Sequence, residues 1–288
     1  MDLRKGNIDM KIKRLYFILF TILLVVSGCV NYQKGETPEL SSEEILQVDT
    51  ETESILEEEI KEKYSSVIEL NPGEVFATEE LELAELSNFF LAVPIVEGDE
   101  IYQRIYGKSY QINDDISLEE LRYIKLLHYN YDGEIQVGEL IVNQVIAQDC
   151  LEIFQALFEA EYEICRIVLV DDYWTGDGVE SDAVSIKNNN TSSFNYRYVP
   201  GSTSRSNHAL GLAIDLNPRE NPYVPTVDGT ADYSALDEEE YYYATNRKDT
   251  DAHVITHEDL AYQLFTEHGF TWGGDWKTLK DYQHFEKN

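Results

Sequence analysis

The chain of 288 residues carries 55 Asp/Glu against 22 Lys/Arg, a formal net charge of −33. That balance lacks the basic face a phosphate backbone requires, which argues against nucleic-acid binding, and it disfavours adhesion to anionic lipid headgroups. Length allows one large domain or two small ones, and a hydrophobic fraction of 43% is ordinary for a globular fold.

In chain order, the first feature is "MDLRKGNIDMKIKRLYFILFTILLVVSGC". Basic Lys11, Lys13 and Arg14 precede an apolar run from Leu15 to Val26, followed by small Ser27 and Gly28 and then Cys29. This is the layout of a secretory signal, and the run is short of the roughly 20 residues that span a bilayer. The ending "VSGC" resembles a bacterial lipobox. That resemblance implies a signal peptide over 1–28, Cys29 as the lipidated first residue, and a chain held outside the cell on the membrane by a lipid anchor. From Glu36 to Lys63 there are 11 Asp/Glu and two Lys with sparse apolar residues, which reads as a solvated tether; residues 29–88 are assigned to this linker, with 65–88 open to being a decorating segment.

Periodic patterning improves from Phe89, where the main domain, 89–288, is set to begin. "SLEELRYIKLLHY" has Ser117 and Glu120 in capping-box spacing and Leu118, Leu121, Ile124 and Leu127 on one helical face. "NQVIAQDCLEIFQALFEAEY" carries a stronger helical stripe, and "ICRIVLVDDY" reads as a strand. A polar loop is expected from Trp174 to Ser193, then short strands at "FNYRYV" and "LAIDL". "NPRENPYV" and "EEEYYYATNR" read as loops, "THEDLAYQLFTEHGF" as a helix opened by Thr256 and Asp259 and stopped at Gly269, and "DYQHFEK" as a closing strand. Helices clustered before strands favour an α+β domain, with helices packed on one side of a small, mainly antiparallel sheet. Cys150 and Cys165 have neither zinc-knuckle nor redox spacing; a disulfide and two free thiols are both open.

The chemistry centres on "SNHALGLAIDLNP". His208 and Asp215 are either two ligands of one metal or an unrelated histidine and carboxylate. Asp215 ends an apolar strand, and a buried carboxylate needs a cation or donors. A hydrolytic zinc site has three protein ligands and an open position. Among the six histidines, His284 in "DYQHFE" is the best third ligand, with Asp281 three residues before it as a base for an activated water. His128 reads as structural, His257 and His268 flank the "HEDLAYQLFTEH" helix, with His268 near its C-terminus where a cation suits the helix dipole, and no HExxH is present. Trp272 and Trp276 read as packing, Gly273 and Gly274 as a tight turn, and Asp275 as a possible orienter of a ligand histidine.

"SNHALGLAID", followed by "GFTWGGDW" and "DYQHFE", resembles the M15 family of zinc D-Ala-D-Ala carboxypeptidases and related endopeptidases, whose pattern is S-x-H-x-x-G-x-A-x-D and then a carboxylate three residues before a final His. Ser206, His208, Gly211, Ala213 and Asp215 fill it; "GELIVN", "NNTSSFNYR" and "NPYV" resemble the VanY-like branch. The resemblance implies the D-Ala-D-Ala peptidase/hedgehog-like fold and a zinc ion held by His208, Asp215 and His284. It implies Asp281 as general base and then acid, and Arg197 in "FNYR" as the stabiliser of the tetrahedral oxyanion. It implies peptidoglycan stem peptides as substrate, cut at a D-Ala-D-Ala bond. The alternatives are an internal L-Ala-D-Glu type bond, or a non-catalytic cell-wall-binding module on the same fold.

Overall fold

The computed structural model describes residues 70–76, 86–199 and 202–287. The signal segment, Cys29 and the acidic run lie outside them. Among the described residues no helix is long and apolar enough to cross a membrane.

The scaffold is a four-stranded antiparallel sheet in the order β1-β4-β3-β2, with β1 Val75–Phe76, β2 Leu91–Pro94, β3 Leu121–Tyr129 and β4 Ile135–Asn143. The sheet therefore begins within the stretch left open as tether or decoration. Strands β3 and β4 pair over nine residues, from Leu121↔Asn143 to Tyr129↔Ile135. The turn between them is chemical: the Asn130 side-chain oxygen accepts from the amides of Asp132 and Glu134, and Gly133 takes φ 72°.

Strand β3 corrects the helix expected at "SLEELRYIKLLHY". The Ser117–Glu120 capping box is real, but it closes one 3-10 turn, Leu118–Glu120, before the chain extends. Both faces of the sheet are covered: Ile124 and Leu126 pack into one apolar cluster, Leu121 and Tyr123 into another. A strand buried on both faces does not alternate, so spacing alone mimics a helix.

Helix α1, Glu100–Ile105, precedes β3, and the helix expected after β4 forms as α2, Gln144–Glu159, capped by Asn143 accepting from the Val145 amide. "ICRIVLVDDY" is not a strand; it makes a single bridge at Ile167, with another at Glu163 just before it, and ends in a 3-10 turn, Val170–Tyr173. The polar loop of 174–193 contains a helix, α3 Gly178–Lys187, capped by Asp177. "EEEYYYATNR" likewise holds a helix, α4 Glu238–Thr245, opened by an Asp237–Glu240 capping box. The helix at 256–269 is α5, Leu260–Glu267; its cap is Asp259 itself, accepting from the Ala261 amide, and it starts three residues later than Thr256 suggests.

The remaining strands are short. β5 Ala213–Asp215, β9 Thr271–Trp272 and β11 His284–Glu286 form one sheet in the order β5-β11-β9. β6 Tyr223–Val224 pairs with β10 Lys280–Asp281, and β7 Thr226–Val227 with β8 Thr230–Ala231. The closing strand at "DYQHFEK" is thus broken in two by a turn at Tyr282 and Gln283. The class is α+β as expected, but the large sheet comes early and helices are interspersed, not clustered first.

One core joins the halves. Phe154 of α2, Phe265 of α5 and Phe285 of β11 are fully buried; the Phe265 and Phe285 rings stack at 4.3 Å, and Phe154 meets Phe265 edge-on at 6.3 Å. Cys150 sits in this core and Cys165 is half-buried; both are free thiols.

Candidate metal centre

Two local devices present the first two candidate ligands. His208 lies on a 3-10 turn, Asn207–Leu210, capped by Ser206, whose hydroxyl accepts from the His208 amide at 3.3 Å. Gly211 ends that turn at φ 66°, and a Cβ there would come within 2.6 Å of the Asn143 nitrogen. That close approach is used: the Asn143 amide donates to the Gly211 carbonyl at 2.8 Å, and its side chain to the Leu210 carbonyl at 3.1 Å. The turn is thereby fastened to the end of β4. Asp215 closes β5, directly opposite His284 in the antiparallel pairing with β11. Opposite residues share a face, so the pairing itself brings carboxylate and imidazole together.

The three side chains are buried and converge. His208 Nε2 lies 3.2 Å from Asp215 Oδ2 and 3.2 Å from His284 Nδ1, and His284 Nδ1 lies 3.0 Å from Asp215 Oδ1. Ligand atoms about 2.0–2.2 Å from a tetrahedral zinc are about 3.3 Å apart, so separations of this size, with either Asp215 oxygen available, suit three ligands of one ion. The far nitrogen of each ring has a partner as well. His208 Nδ1 donates to the Ser193 carbonyl at 2.6 Å, and His284 Nε2 donates to Glu286 Oε2 at 3.1 Å. These bonds leave Nε2 of His208 and Nδ1 of His284 as the atoms turned toward the centre, the arrangement by which metal-binding imidazoles are oriented.

The electrostatics fit a cation. Burial alone would raise the Asp215 carboxyl, yet the His208 and His284 rings hold it well below the usual carboxylate range. Burial would lower His284, but hydrogen bonds to Asp215 and Glu286 win and raise it to about 10. The cluster draws positive charge to its centre, and its donor set of two imidazoles and a carboxylate suits zinc. Other histidines go elsewhere: His253 bonds Glu163, His268 bonds Asp149, and buried His128 bonds the Ile164 carbonyl. Asp275 bonds exposed His257 at 2.8 Å, so it orients neither ligand histidine.

Residues 200–287 match the M15 peptidase family model described as D-alanyl-D-alanine carboxypeptidase. The segment belongs to the M15 peptidases. No curated protein and no solved structure matches the chain.

The M15 segment supplies most of a cleft of about 450 Å³ that contains all three ligand candidates together with Asp281 and Arg197. Asp281 sits on β10, and its Oδ1 is buried without a hydrogen-bond partner. Burial raises its carboxyl to about 7, with His284 opposing and Asp215 adding to the rise. Gly273 makes room for it, since a Cβ at Gly273 would lie 2.5 Å from the Asp281 carbonyl oxygen.

Arg197 lies upstream of the matched residues, on an extended segment and not in the strand expected at "FNYRYV". The amides of Phe194, Asn195 and Tyr196 bond Ile141, His208 and Ser109 in turn, so this segment crosses three partners and never pairs along one. Its guanidinium donates to Asp182 at 2.6 Å, and both side chains are nearly buried. Arg197 Nε is buried and without a partner.

Sequence reasoning gave four contributors no role in the site. Asp182 belongs to α3, whose Val179, Ala183 and Ile186 line the cleft at helical spacing, a signal masked by the polar residues around it. Trp276 places its ring 5.2 Å from that of His284. Gln283 and Glu286, either side of the His284–Phe285 pair, both touch the ligand set.

Proposed function

We propose that the chain is a zinc-dependent peptidase of peptidoglycan stem peptides, acting at D-Ala-D-Ala-type bonds. The observation that carries the reading is the triangle of His208 Nε2, Asp215 and His284 Nδ1, with sides of 3.0–3.2 Å, beside a buried carboxylate in one cleft. Zinc bound there would polarise the scissile carbonyl and bring the pKa of a water to about 7.

The chain's own residues do the rest. Asp281, with a carboxyl raised to about 7 by burial, takes a proton from the attacking water and returns it to the leaving amine. Arg197 faces the same cleft with Nε unspent, and a fixed donor of this kind stabilises the oxygen on which charge develops. Asp182 holds the guanidinium in place. The apolar face of α3 shields the cleft on one side.

One observation favours a second reading, cleavage of an internal bond. The arginines lining the cleft are already paired, Arg197 with Asp182 and Arg205 with Asp115, which leaves a terminal carboxylate of the substrate without a dedicated counter-charge among the described cleft residues. A non-catalytic binding module is disfavoured by the retention of Asp281 with all three ligand candidates.

The domain plan and location complete the proposal: a signal peptide over 1–28, lipidation at Cys29, an acidic tether, and a catalytic domain outside the cell. The test is zinc content together with mass spectrometry of muropeptides after incubation. Stoichiometric zinc and loss of one D-Ala are expected, and an internal cut would select the second reading. Protein without zinc, or a His208→Ala variant that cleaves as well as the original, overturns it.

A further inference from the structure

Two residues, Tyr282 and Gln283, separate the base from the last ligand candidate, and Gln283 is the one next to His284. Its side chain is 97% buried, yet it lines the cleft. Its amide nitrogen Nε2 lies 3.3 Å from Asp215 Oδ2. A carboxylate only accepts, so this contact fixes which end of the amide is which: NH2 toward Asp215, and Oε1 away from it. Oε1 is then a buried acceptor with no partner. Burying such a group without a donor is unfavourable, and an orphan of this kind calls for an explanation, of which a bound group that completes the hydrogen bond is one.

We infer that Gln283 is a substrate-binding residue, whose side-chain carbonyl accepts a hydrogen bond from a peptide N–H of the substrate next to the scissile bond. This rests on the peptidase reading above and deepens it. The cleft holds a complementary orphan, the donor Nε of Arg197. An unpaired acceptor and an unpaired donor in one cleft match what a peptide backbone offers, an N–H and a C=O. Contact of Nε2 with Asp215 holds the side chain at the edge of the ligand set, and the backbone is pinned because the Gln283 carbonyl accepts from the Leu216 amide at 3.0 Å. A recognition device of this kind reads the main chain and not a side chain, so it tolerates variation in substrate residues while demanding an amide.

The test is a stem-peptide series in which each non-scissile amide in turn is replaced by an ester, removing one N–H at nearly constant shape. Zinc-loaded protein is assayed for kcat and KM on each, and zinc affinity is measured by chelator competition. In the unmodified protein one ester costs about tenfold in kcat/KM, mostly through KM. In Gln283→Met that penalty disappears, and in Gln283→Glu, which keeps an acceptor but loses the N–H to Asp215, it persists. Equal penalties with and without Gln283, or a Gln283→Met defect confined to zinc affinity, overturn the assignment and leave Gln283 as an orienter of Asp215 alone. If Gln283→Met does not fold, the ester scan on the unmodified protein still decides against it when no ester costs more than about threefold. Protein that binds zinc but cuts no stem peptide sinks the peptidase reading first and this one with it.

Discussion

The β3–β4 hairpin and the β5-β11-β9 sheet are built on opposite terms. The first is a nine-residue ladder covered by apolar side chains on both faces. The second has strands of two or three residues; Ile214, Trp272 and Phe285 anchor it in the apolar core, and around it lie buried polar groups: Thr191, Ser192, Ser193, Asn195, Asn217 and Asn221. Asn221 alone donates to the Asn217 and His253 carbonyls and accepts from Arg247 and the Ile255 amide. Apolar burial is tolerant of direction and supplies stability; side-chain hydrogen bonds are directional and supply position. The division teaches that the candidate metal centre is held by geometry borrowed from a scaffold that plays no part in its chemistry.

Substitutions should therefore separate into two classes, and the largest effect belongs to the ligands. Asp215→Ala is expected to abolish stoichiometric zinc and reduce turnover to background, while leaving the circular dichroism spectrum of the scaffold intact; loss of fold together with metal would break the comparison. Asp281→Asn should keep one zinc per chain and lower kcat by a factor on the order of 10²–10⁴, read from steady-state rates at saturating zinc. In the scaffold, Phe154→Ala should cost about 3–5 kcal/mol in denaturant unfolding, yet the folded fraction should retain the original KM.

A subtler probe uses pH. Burial pushes the His128 imidazole down to about 4 from its ordinary 6.5. Below pH 6.5 the unfolded chain takes up a proton there that the folded chain refuses until about pH 4. Stability tied to this group is present above 6.5 and is lost as pH falls toward 4, by roughly 3 kcal/mol in total. His128→Asn, which keeps a donor for the Ile164 carbonyl, should remove that slope, seen as the difference between the two unfolding curves across the window. An unchanged slope would show that His128 is not held as tightly as the rest of the hairpin.

The two regions also differed in how well they could be read. The candidate site was legible because its residues are chemically rare and its turn chemistry is local: His208, Asp215, Asp281 and His284 line one cleft, and Gly211 ends the turn that carries His208. The scaffold misled at β3 because burial on both faces erases the alternation that marks a strand. Helix α3 was hidden because its cleft-facing Val179, Ala183 and Ile186 are interspersed with polar Glu180, Ser181, Asp182, Ser185 and Lys187. The extended run through Arg197 was unreadable for another reason, since its three successive partners lie far apart in sequence and no local pattern announces them. Asp275, read as a support for the metal, was captured by His257 instead.

Strand β11 has one more property. His284 faces the cleft while its neighbour Phe285 is fully buried against Phe265, and across the ladder Asp215 and Ile214 divide in the same way. A slip of one residue would push an imidazole into hydrocarbon and present a phenyl ring to the centre. On the proposed function, zinc would be captured only by chains that have aligned these strands correctly, so the ion would act as an inspector of folding: occupancy would certify register, and a chain misthreaded by a single residue would be left both inactive and unmetallated.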